Sequence, residues 1–161
     1  QTLLAPQEYD LKDFIMPVDE NARGSFAESV LIFQGLVFIF DNQIEAAKKH
    51  FQSLLDKTDN PMSQTLSQLY LLQIALLERD HEKAEEYASN RGVKSFLSLK
   101  MADTQIMQAW YQFLVKKDMV QTDKAIKIAR QNMVTSRLVR DEKRYYENWL
   151  AELEKELSEG V

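Results

Sequence analysis

The chain has no cysteine, and its 161 residues include only four glycines and three prolines. The first absence removes disulfide frameworks, thiol nucleophiles and thiolate metal sites. The second excludes an all-β domain, which needs turn residues every few positions. Histidine is scarcer still: His50 and His81 are the only two. His81 and Glu85 form an i, i+4 pair, but HEKAEE lacks the second histidine of the metalloprotease pattern, so no metal is expected there. His50 lies beside Lys48 and Lys49 and reads as a solvated side chain. The sequence also has no Gly-rich phosphate loop, no serine nucleophile elbow and no aligned carboxylate pair. Neither catalysis nor a cofactor is expected.

What is present is the composition of a globular helical chain: 45% hydrophobic and 28% charged residues, in a length that buries a real core. The net charge of −5 is unevenly spread. Residues 1–90 carry 15 acidic and 7 basic side chains, whereas residues 116–144 carry nine basic and four acidic ones. The chain opens on Gln1, which reads as a processed product or a fragment, with any signal peptide already removed. The cytoplasm is the first expectation for its location, and export after signal cleavage is the alternative.

Residues 1–24 lack sustained periodicity and hold two of the three prolines, so they read as an extended arm. Its apolar residues, among them Leu3, Leu4, Phe14 and Ile15, suggest that it packs on something. Helical periodicity then runs over 25–157, with 158–161 as a tail. The first helix starts near Ser25, with Glu28 three residues on as a capping-box partner, and runs to about Phe40. Asp41 is the expected N-cap of the second, IEAAKKHFQSLLDK, which ends before DNP at 59–61. Ser63 opens a third and Asp80 caps a short fourth, closed by Asn90-Arg91-Gly92; VKSFLSLK forms a further turn or two. TQIMQAWYQFLVKK, TDKAIKIARQNM and a helix over 137–157 complete the chain. In the last, Tyr145, Tyr146, Trp149, Leu150, Leu153 and Leu157 form one apolar stripe.

The stretch VLIFQGLVFIF at 30–40 is too short to span a membrane, which takes about 20 apolar residues. A helix apolar on every side is instead one buried on every side. Within it Gly35 is followed three residues later by Phe38, twelve later by Ala47 and sixteen later by Phe51. Small residues let paired helices approach, and aromatics fill the gap between them. This pattern over 28–61 resembles the tetratricopeptide repeat, a 34-residue helix–turn–helix. A second copy over 65–98 keeps Leu71, Ala75 and Ala84, with Leu72 in place of the glycine; a third over 103–136 keeps mainly Ala125 and Ala129.

The resemblance implies an all-α fold: antiparallel helical hairpins stacked as a short right-handed α-solenoid, capped by the last helix. It also implies a non-catalytic scaffold that binds a peptide or helix of a partner protein in its concave groove. The groove contacts would be Ile32, Leu36, Ile39, Leu69, Gln73 and Leu76, with Lys124, Lys127 and Arg130 as an electrostatic rim. Ile32, Leu36 and Leu69 cannot make the charged clamp contacts by which the family grips chaperone tails, and Gln73 alone is polar. Either the N-terminal arm or a partner would cover the groove. Two other readings are a ligand- or peptide-sensing regulatory domain of a larger protein, and an assembly or secretion chaperone that dimerises through the apolar first helix. The basic residues of 124–144, with Tyr145 and Tyr146, would form a nucleic-acid surface only if they shared one face. Asp123, Asp141 and Glu142 interrupt them, and nucleic acid is not the expected partner.

Overall fold

In a computed structural model, which describes residues 25–135 and 140–160, the scarcity of helix breakers is realised as eight α-helices. They are α1 (Ser25–Phe40), α2 (Ile44–Lys57), α3 (Pro61–Leu77), α4 (His81–Ala88), α5 (Arg91–Leu97), α6 (Ala102–Tyr111), α7 (Met119–Val134) and α8 (Arg140–Glu159). A five-residue π-helix, Gln112–Lys116, continues α6. Among the described residues there is no strand. The arm expected over 1–24 lies outside the described residues. The chain divides into two compact units that part between Phe96 and Leu97.

In the first unit α1 packs on α2 and α3, α2 on α3, and α3 on α4. The buried positions of α1 are Glu28, Leu31, Ile32, Gly35, Leu36 and Ile39, a stripe at three- and four-residue spacing. Phe51 of α2 is wholly buried against this stripe. A Cβ at position 35 would lie 2.7 and 2.8 Å from Cε2 and Cε1 of Phe51, and closer still to Cζ. Glycine at 35 is therefore what lets the ring seat against the α1 backbone. On its other side Phe51 meets the Tyr70 ring of α3 at 5.5 Å between centroids. Where α2 ends, Thr58 donates from Oγ1 to the Glu28 carboxylate at 2.7 Å, with both side chains buried. Glu28 thus ties the first turn of α1 to the C-terminus of α2.

Helix α3 is the centre of this unit. From Leu69 to Leu76 every residue but Tyr70 is buried, so it has no solvent face over two turns. Gly92 in the first turn of α5 permits a second close approach: a Cβ there would sit 2.7 Å from both Cγ2 and Oγ1 of Thr65 on α3.

Several helix ends differ from expectation, and a left-handed closure lies behind two of the differences, at α2 and α7. Asp41 does not cap α2. Asn42 turns into the left-handed region (φ 63°), Gln43 N–H bonds back to the Phe38 carbonyl at 2.8 Å, and Gln43 takes the N-cap position. Asp41 instead accepts from the Gln43 side chain at 3.0 Å. The same closure recurs at Arg79 (φ 59°), where Asp80 N–H reaches the Ala75 carbonyl at 2.9 Å. It recurs again at Lys117 (φ 54°), where Asp118 N–H reaches the Gln112 carbonyl at 2.9 Å. The third bond reaches one residue further back because its helix ends in the wider π turn. Such left-handed closures satisfy the last carbonyls of one helix and aim the chain into the next. Asp80 caps α4 as expected, accepting from Lys83 N–H. Asn60, not Ser63, caps α3, with Pro61 as its first residue. Asn90 accepts from Val93 N–H at 3.1 Å, so Arg91 and Gly92 open α5 rather than close α4. Asp118 caps α7, which starts before Thr122.

In the second unit α6 packs against α7 and α8. Ala109, Ala125 and Ala129 are buried small residues, of the kind that bring helices close. Trp110 stacks on Trp149 (5.7 Å, 16° between planes) and donates its indole N–H to the Trp149 carbonyl at 3.2 Å. Tyr146, Trp149, Leu150 and Leu153 are buried along α8, as the expected stripe requires. The loop before α6 is held by Gln105 Nε2, which donates to the Leu97 and Leu99 carbonyls at 3.0 and 2.7 Å.

Gly35→Ala should cost about 1–3 kcal/mol in urea unfolding, since the added methyl must displace the Phe51 ring. The double variant Gly35→Ala with Phe51→Leu should be less destabilised than the two single losses added together. Additive losses would mean that the two positions do not share this contact.

Candidate functional site

The six groove residues all belong to the first unit, on α1 and α3, and all are buried: Ile32 8%, Leu36 9%, Ile39 0%, Leu69 1%, Gln73 0% and Leu76 1% exposed. They offer almost no accessible surface. The question of the arm as their cover lies outside the described residues. Among the apolar residues of α1 from Phe26 onward, only Phe26 is exposed (68%).

The rim residues belong to the second unit, on the exposed side of α7. Lys127 pairs with Asp123 one turn back at 3.0 Å. Arg130 makes a two-pronged contact to the Glu154 carboxylate of α8, with Nε–Oε2 at 2.8 Å and Nη2 on Oε1. Its charge is therefore used in joining two helices, which sequence spacing alone did not reveal. Lys124 is exposed. Of the remaining basic cluster, Arg144 lies 4.0 Å from Asp141, Tyr146 is buried, and Arg137 lies outside the described residues.

His50 is not simply a solvated side chain. It is half-buried, and its Nε2 lies 2.5 Å from the Leu31 carbonyl of α1. A carbonyl can only accept, so Nε2 carries the proton. The ring is edge-on to both Phe38 (5.7 Å) and Phe51 (5.8 Å). The sequence signal existed, since His50 precedes Phe51 and lies on the turn that faces α1, but the flanking lysines concealed it. Beside His50, a cavity of about 360 Å³ opens between α1 and α2, floored by Leu31, Phe38 and Leu54 and edged by Ala46, Lys49, His50 and Ser53. The adjacent Lys48 turns elsewhere: its ammonium lies 2.8 Å from Glu78 and 3.5 Å from Glu45. The hydrogen bond to Glu78 holds Lys48 above the ordinary lysine range.

Among the described residues no group of three or more His, Asp or Glu side chains could hold a metal ion. His81 and Glu85 are both exposed on α4. Among the described residues, too, no helix is long and apolar enough to cross a membrane. No protein-family model matches the chain, and neither a curated protein nor a solved structure matches it.

Asp103 lies in the first turn of α6. Burial pushes it above the usual aspartate range, against hydrogen bonds from the Thr104 N–H (2.9 Å) and its own N–H. A carboxyl raised in the folded state contributes stability fully below its unfolded pKa and loses it as pH rises through the folded value. Asp103→Asn keeps an acceptor for Thr104 without the charge. Measured by urea unfolding from pH 3 to pH 7, the variant should gain on the wild type as pH rises; a difference that shrinks or stays flat would contradict the burial effect.

Proposed function

We propose that the chain is a non-catalytic protein–protein interaction scaffold, a short right-handed α-solenoid resembling tetratricopeptide repeats, which holds a peptide or helix of a partner protein. The observation that carries this reading is the repetition of one hairpin. Its left-handed closures at Asn42, Arg79 and Lys117 fall 37 and 38 residues apart. Five residues beyond each closure stands a small, buried residue: Ala47, Ala84 and Thr122. At that point the N–H of each bonds to the carbonyl of the N-cap residue: Gln43, Asp80 and Asp118. Thr122 thus takes the place expected of Ala125. Repeated hairpins are units that cannot bury their apolar faces alone, and arrays of them present extended binding surfaces.

The electrostatics also favour a protein partner over a nucleic acid. Lys127, Arg130 and Arg144 each have a carboxylate neighbour, whereas phosphate binding needs cations free to replace counterions. Binding at Ile32, Leu36 or Leu69 would require those residues first to become accessible, which makes that groove a conditional site.

Cross-linking of the full chain in an extract of its source cells, followed by mass spectrometry, tests the reading. A saturable set of partner proteins linked through surface lysines is expected. If nothing is retained above a bead control at native concentrations, the scaffold reading fails.

A further inference from the structure

We propose that the cavity between α1 and α2 is a docking site for an acidic segment of a partner protein, which seats one bulky apolar side chain in the cavity and sets a neighbouring carboxylate on Lys49. The proposal deepens the scaffold reading and rests on it. While the expected groove residues are buried, this cavity is open, and its volume of about 360 Å³ lies at the small end of the range of ligand pockets. Its floor is apolar and its edge polar, the division by which such sites combine affinity with orientation.

The charge argument turns on two adjacent lysines. Lys48 and Lys49 leave α2 about 100° apart around the helix axis. Lys48 is neutralised by Glu78 and Glu45. Lys49 edges the cavity, no carboxylate lines that cavity, and among the described residues Lys49 makes no ion pair. In a chain with 25 acidic and 20 basic side chains, a cation left over an apolar cavity marks a place for an anion from outside. The wall is also fixed in advance. His50 is held by the Leu31 carbonyl and by the edges of two phenylalanine rings, so little ordering is left to be done on binding. A single cation over an apolar floor fits a short acidic-and-apolar peptide and gives a phosphate backbone too little charge.

Selection of a displayed random 12-residue peptide library on the full chain tests this. Enriched peptides should carry a bulky apolar residue within three positions of Asp or Glu. Lys49→Glu should weaken them by about fivefold or more, and Lys49→Arg should leave them nearly unchanged. Ala46→Leu, which fills the cavity from its edge, should also abolish binding, with helical circular dichroism confirming that each variant is folded. Enriched peptides indifferent to both Lys49→Glu and Ala46→Leu would overturn the site and leave the scaffold reading standing. No enrichment at all would overturn both. Sedimentation in parallel shows whether the wild type self-associates; if it does and Ala46→Leu dissociates it, the occupant is a second copy of this chain and the acidic-partner proposal falls.

Discussion

The first unit depends on the Phe51 ring lying against a helix backbone with no side chain in the way. Glycine in a helix interior costs about 1 kcal/mol relative to alanine, and Gly35 bears that cost in the middle of α1. Burying a phenylalanine returns about 1.5–3 kcal/mol, and Phe51 is wholly buried, so the exchange favours the fold. The larger effect is geometric. With Phe51 flat on α1 and against Tyr70 of α3, one side chain sets the spacing of three helices. His50, the preceding residue, is carried by the same seating to the Leu31 carbonyl.

The polar contacts then fix what the apolar packing leaves loose. Thr58 and Glu28 close one end of the α1–α2 pair inside the core, where an unpaired carboxylate would be costly. Left-handed Asn42 closes the other end. Arginine and lysine are poor choices for the equivalent positions 79 and 117, because a Cβ crowds the carbonyl in that conformation. Their presence there means that the bonds closing each turn outweigh a local penalty of about 1–2 kcal/mol. In the second unit a tryptophan pair does the work that Gly35 and Phe51 do in the first. It joins α6 to α8 by stacking and by an indole hydrogen bond, ring against ring rather than ring against a glycine.

The same packing sorts the charges. Lys48 and Arg130 are drawn into contacts between elements of their own units, while Lys49 stays at the mouth of the α1–α2 cavity. Beside α2, folding leaves unconsumed a cation and an apolar concavity. The residues expected to line a groove are consumed, above all those of α3, which is enclosed on every side from Leu71 to Leu76.

The all-helical class was legible in composition alone, because four glycines and three prolines cannot serve an all-β chain. Gly35, Ala47 and Phe51 were legible as a packing set, since small and aromatic residues at that spacing have few other uses. Asp80 was legible as a cap and the α8 stripe as a buried face, because both signals are local. What the sequence could not decide were properties that depend on a partner distant in the chain. Whether Ile32 and Leu36 are floor or core depends on what lies over α1, and an apolar side chain looks the same in either case. Whether His50 is wet depends on the Leu31 carbonyl, 19 residues away. Lys48 and Lys49 are identical as letters, and only the position of Glu78 separates a neutralised cation from an available one. Periodicity and turn chemistry act within a few residues and so are written in order along the chain; burial and charge pairing act across the space between helices, and only the tertiary structure assigns them.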